Sequence, residues 1–132
     1  MANNNYDHVP HVLVNRVSEQ AVFPTEFILS SAKTITLHAH RMIEVPTDLR
    51  FTVPVGVRIN LVPMPDMSQQ SIEIVDNFIS CGIEAPVSIG LWNHSGLDIE
   101  VKAGDEIARM DFNFSDRTSP EFIDVTPDLI ND

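Results

Sequence analysis

Between Pro86 and Met110 the chain spells out strand, turn, strand, turn and strand without interruption. Val87, Ile89 and Leu91 alternate with Ser88 and Gly90, the period-2 pattern of a strand with one buried face. Asn93-His94-Ser95-Gly96 then supplies turn chemistry, because Asn and Ser side chains bond nearby backbone and Gly tolerates positive φ. Ile99 and Val101 resume the alternation, Lys102-Ala103-Gly104-Asp105 turns the chain again, and Ile107-Ala108-Arg109-Met110 leads out. The stretch therefore reads as three short strands joined by two tight turns.

The same signal runs backwards through the chain. Val12 and Val14 mark a first strand, Phe27–Leu37 and Met42–Val53 carry β-formers, and Pro54-Val55-Gly56 is a turn. Val57–Val62 is a further strand, broken by Pro63-Met64-Pro65-Asp66, and Ile72–Ile79 alternates again. No long window carries a helical stripe; Met67–Asn77 forms a short helix at most. Many short strands at close spacing predict an all-β fold, a β-barrel or jelly roll of mostly antiparallel strands. Its 132 residues support one domain. The division expected is a flexible N-terminal segment over 1–11, the barrel over 12–112 and an extended acidic C-terminal arm over 113–132. From Asp111 to the last residue, Asp111, Asp116, Glu121, Asp124, Asp128 and Asp132 outweigh Arg117. It reads either as a solvated terminus or as an arm that docks on a neighbouring subunit.

Charge narrows the partners. A net charge of −11 with only eight Lys and Arg argues against nucleic acid, since neutralising phosphates needs clustered cations. It also counts against a polyanionic substrate unless a metal intervenes. No apolar run nears the ~20 residues of a membrane span, and no secretory leader opens the chain. The expectation is a soluble cytoplasmic protein with no membrane partner. Cys81, alone, excludes an internal disulfide and reads as a small buried residue. His38-Ala39-His40 has the spacing of a strand metal pair but lacks an identifiable third ligand, so the histidines read as exposed. Asp98, Glu100 and Glu106 read as a solvated acidic face, and Trp92 as core or a subunit contact.

Taken in order, several segments resemble the trimeric dUTPase family. Val14–Ala21 is similar to its first strand, and Phe27-Ile28-Leu29-Ser30-Ser31-Ala32 to its gly-(phe/tyr)-asp-leu-x-ser-ala segment. Val45-Pro46-Thr47-Asp48-Leu49 through Gly56, and Leu91 through Ala108, match later segments, so the resemblance covers roughly residues 12 to 112. It implies the dUTPase-like barrel and a homotrimer.

Set against the family's motifs, the chemical positions differ. Ile28 stands where the first motif has aspartate, Met64 and Pro65 where the second has arginine and serine, and Asp66 adds negative charge there. Ser80 and Ile83 stand where the third has its water-activating aspartate and its tyrosine, with Glu84 in place of arginine; a slip of one or two residues would bring in Asp76. Arg109 replaces a phosphate-contacting glutamine, and no glycine follows Gly104 to form a closing arm.

These replacements imply a catalytically inactive pseudoenzyme, of viral type, that serves as an adaptor for an unidentified protein partner in the cytoplasm of a host cell or in the virion. Catalytic, cofactor and metal residues are then expected to be none, and the candidate interaction surface is Met64, Asp66, Met67, Trp92 and Arg109. One alternative is a structural subunit of a viral particle. Another is a nucleotide-binding protein or divergent dUTP pyrophosphatase, resting on Asp48, Asp66, Asp76 and Arg109.

Overall fold

The alternating segments form twelve short strands and one helical turn in a computed structural model that describes residues 11–75, 78–79, 86–112 and 120–127. The strands are β1 (His11–Arg16), β2 (Ile28–Ser30), β3 (Ile35–Leu37), β4 (Arg41–Pro46), β5 (Leu49–Thr52) and β6 (Ile59–Pro63). After helix α1 (Pro65–Gln69) come β7 (Ile72–Val75), β8 (Phe78–Ile79), β9 (Ser88–Asn93), β10 (Ile99–Val101), β11 (Glu106–Phe112) and β12 (Glu121–Asp124). Sequence and structure agree on the stretch after Pro86, which becomes β9, β10 and β11 with turns at the expected places.

The all-β class holds, but among the described residues no sheet closes into a barrel. The strands fall into four small sheets, ordered β12-β1-β5, β10-β3, β2-β11-β6-β8 and β4-β9-β7. The breaks have local causes. Met42–Val53 reads as one apolar run, yet Pro46 ends β4 and Asp48 adopts φ 55°, so β5 turns away to pair with β1 while β4 pairs with β9. Ser18 Oγ donates to Asp48 Oδ2 at 2.6 Å, and Val17 N–H to the Asp48 carbonyl at 2.9 Å, which hold that left-handed residue. Phe27–Leu37 splits likewise at Ser31, whose hydroxyl donates to the Lys33 carbonyl at 2.6 Å.

The helix also starts earlier than Met67. Pro65 sits at its first position, where a missing N–H costs nothing, and Met64 precedes it in extended conformation. No described helix is long and apolar enough to cross a membrane.

One core lies between the sheets, with Val12, Val14, Leu29, Leu37, Val45, Leu49, Phe51, Ile59, Ile89, Leu91 and Ile107 almost wholly buried. Each contributes about 1.5–3 kcal/mol on burial. Part of the tail joins this core. β12 lies parallel to β1, and Phe122 packs its ring 5.8 Å from Phe27 and 6.0 Å from Phe51. The contact His11 Nε2–Glu121 Oε1 and the ion pair Arg16–Asp124, both 3.2 Å, flank that seam.

The turn after β9 is built around a buried asparagine. Asn93 Nδ2 donates to the Leu37 carbonyl at 2.9 Å and the Leu97 carbonyl at 2.7 Å, while Oδ1 accepts from Ser95 N–H at 2.9 Å and Ser95 Oγ at 2.7 Å. This amide joins the end of β9 to β3, tying two sheets together.

Candidate functional site

The strand β11 carries one wall of the site. Its alternation sends Ala108 and Met110 into the core and Arg109 outward. Arg109 lies opposite Ile28 of β2 on one side and Val62 of β6 on the other. The chain enters β2 through two consecutive left-handed residues, Glu26 at φ 53° and Phe27 at φ 63°. Neither is glycine, so the backbone is strained there by about 1–2 kcal/mol per residue. A tight turn, Ile28 N–H to Thr25 carbonyl at 3.0 Å, and a cross-strand bond, Met110 N–H to Phe27 carbonyl at 2.7 Å, hold it.

Beside this sheet lies a hollow of about 600 Å³ between α1 and the β10–β11 turn. Met64, Pro65, Asp66 and Met67 form one side and Glu100, Gly104, Asp105 and Glu106 another. The turn is clamped to the end of β2: Gly104 N–H donates to the Ser31 carbonyl at 2.7 Å and Ser31 N–H to the Asp105 carbonyl at 2.9 Å. Gly104 has φ 91°, a conformation an L side chain resists. Asp105 Oδ2 accepts Lys102 N–H at 2.9 Å. The lining holds four carboxylates, Asp66, Glu100, Asp105 and Glu106, and no Lys or Arg. A multivalent anion therefore meets repulsion unless a cation accompanies it. Among the described residues no three His, Cys, Asp or Glu side chains converge as a bound metal requires.

The structure separates the residues that the sequence singled out. Met64, Pro65, Asp66 and Met67 share the hollow, with Met67 buried and packed into the core. Ile28 and Arg109 are register neighbours on the adjoining sheet and do not line it. Trp92 belongs elsewhere: it is 40% exposed on β9 and stacks on His94 with ring centroids 5.4 Å apart. Ser80, Ile83, Glu84, Asp76 and Cys81 lie outside the described residues.

His38 and His40 occupy a turn rather than a strand, and His38 Nδ1 lies 3.3 Å from Asp98 Oδ2. Glu100 and Glu106, expected on a solvated face, are exposed and also line the hollow. Their proximity to Gly104-Asp105 was the available signal, but alternation alone cannot say what an outward face meets. The two carboxylates held below the usual range, Asp98 by the Ala39 N–H and then His38, and Asp124 chiefly by the Thr126 hydroxyl, do not line it.

The family model described as dUTPase matches residues 14–126. The deoxyuridine 5′-triphosphate nucleotidohydrolase of Solanum lycopersicum is 35% identical over 111 residues, covering 78% of this chain and 66% of its own. That of Arabidopsis thaliana is 35% identical over 109 residues, 76% of this chain and 66% of the relative. The chain thus spans 66% of the length of these two relatives. Among solved structures, the dUTPase from phage phi11 of S. aureus superposes with a TM-score of 0.68 at 18% identity, covering 80% of this chain and 91% of that one.

These relatives overturn the expectation of an inactive adaptor. Proteins sharing a third of their residues over three quarters of this chain are named as hydrolases, which contradicts a pseudoenzyme devoted to viral protein–protein interaction. The expectation equated the loss of particular residue types with the loss of the reaction. It gave no weight to the carboxylates that the fold gathers beside Asp66.

Proposed function

We propose a nucleoside triphosphate hydrolase acting on dUTP: the chain belongs to the dUTPase family, and that membership is the observation that carries the reading. The reaction is attack of water on a phosphoryl group, releasing pyrophosphate and the nucleoside monophosphate. It needs a group to orient water and cationic charge for the phosphates. Ile28, Met64 and Pro65 offer neither, and their role is limited to shape.

Of the four residues on which such a reading rested, Asp48 is engaged by Ser18 and Asp76 lies outside the described residues. Asp66 and Arg109 are left. Asp66 lines the hollow with no side-chain partner among the described residues, and we assign it to orienting the water. Arg109, exposed on β11, is assigned to a phosphate. A divalent ion accompanying the triphosphate would be held through phosphate oxygens, water and one or two of the hollow's carboxylates, and would offset their repulsion.

Asp66→Asn tests the assignment. It should lower kcat about 10²–10⁴-fold and leave KM within a few fold. Unchanged kcat would remove Asp66 from the mechanism. A homotrimer belongs to the same proposal, with the tail of 113–132 contributing to assembly. Sedimentation at about 44 kDa, three chains of 14.7 kDa, supports it, whereas a 14.7 kDa species excludes it.

A further inference from the structure

Thr25–Ile28 is a two-residue reversal, closed by the Ile28 N–H to Thr25 carbonyl bond, and both of its central residues have positive φ. Turns of that kind favour Asn and Gly, which tolerate the backbone they require. Here the central residues are Glu26 and Phe27, and such a pair persists only where surrounding contacts hold it. Glu26 is exposed, so the holding falls to Phe27. Its carbonyl accepts the Met110 N–H at 2.7 Å. Its half-buried ring packs 5.8 Å from that of Phe122, with 56° between the planes.

Phe122 is itself well anchored. It lies on β12 opposite Val12 of β1 and meets Phe51 edge-on at 6.0 Å. Phe51 is almost fully buried, so the three rings run from the core out to the turn. β12 is fixed to β1 by the Val125 N–H to Val14 carbonyl bond at 2.9 Å and by the Arg16 N–H to Thr126 Oγ1 bond at 2.8 Å. Tilted and edge-on ring contacts have preferred geometries that a small aliphatic side chain does not reproduce.

From the turn the path to the site is short. Phe27 bonds Met110, and the adjoining residues Ile28 and Arg109 are register neighbours on β2 and β11. We propose that Phe122 is a positioning residue for the phosphate contact assigned to Arg109. Its ring holds Phe27 in the left-handed turn, and the turn fixes β2 against β11 where Arg109 projects. This inference rests on the proposed function, from which it takes the role of Arg109.

Phe122→Ala in the full chain tests it with two readouts. Amide exchange at Ile28 and Met110 should quicken at least about tenfold, while the amides of β9, in the separate sheet β4-β9-β7, stay within about twofold. The KM for dUTP should rise about fivefold or more with kcat within about twofold, because the positioned contact is one of binding. Phe122→Tyr, which keeps the ring, should restore both. Ile89→Val, which trims the core under β9, should leave KM unchanged.

Unchanged exchange at Ile28 and Met110 overturns the proposal, and so does an equal quickening throughout β9, which marks general loosening. An unchanged KM in Phe122→Ala, or an equal rise in Ile89→Val, overturns it as well. No hydrolysis of dUTP by the natural chain would count against the proposed function alone, because the exchange pattern reads the ring contact without turnover.

Discussion

Replacing Asn93 by Leu should cost about 3–5 kcal/mol, a large part of the 5–15 kcal/mol that a domain of this kind has in total. Asn93 is fully buried and uses its whole amide in four bonds. Leucine keeps the branching at Cγ, is bulkier, and makes none of them. The Leu37 carbonyl, buried with its residue, then loses its partner at about 1–3 kcal/mol. The other three bonds are partly solvated, so water replaces them at roughly 0.5–1 kcal/mol each. Added apolar burial returns only part of this.

Urea unfolding at neutral pH reads the change directly, and a thermal scan should show a fall of roughly 10–20 °C. Asn93→Asp sharpens the result. It retains the two bonds accepted from Ser95 but points an acid at the Leu37 and Leu97 carbonyls, so it should be markedly less stable at pH 7 than at pH 4. A loss below about 1 kcal/mol for Asn93→Leu would refute the claim that this amide joins the sheets.

Gly104→Ala isolates backbone strain, because a Cβ there meets nothing within 4 Å while φ stays at 91°. About 1–2 kcal/mol should be lost; an unchanged urea midpoint would show that the turn relaxes freely. At Asp98 the folded carboxyl sits below its ordinary value, through the Ala39 N–H first and His38 second. That stabilisation is complete above the unfolded value near 4 and disappears as pH falls through the lower folded value. Asp98→Asn should therefore lose less stability than the natural chain as pH falls from about 5 through that lower folded value. Parallel acid limbs for the two proteins would contradict the assignment.

Local chemistry made much of the fold legible. Alternation around Ile89 and Leu91 and the turn residues at Asn93 and Gly104 located β9, β10 and β11, because strand period and turn preference are properties of neighbours in sequence. Pairing is not such a property. Nothing near Arg109 tells that Ile28 and Val62 flank it, and nothing near Asn93 tells that its amide reaches Leu37. The barrel expected from strand count failed at Asp48, where a left-handed residue redirects the chain. Met64 and Asp66 stood out by their place in a motif, and both line the hollow. Glu100 and Glu106 are exposed as their pattern suggests, but that α1 faces them is not legible from their neighbours in sequence.

The most direct measurement is pyrophosphate release from dUTP in the presence of Mg²⁺, followed by phosphorus NMR with dCTP and dTTP alongside. Equal amounts of dUMP and pyrophosphate are expected, with dUTP consumed in preference to the other two. An intact dUTP spectrum, indistinguishable from that of heat-denatured protein, would contradict it.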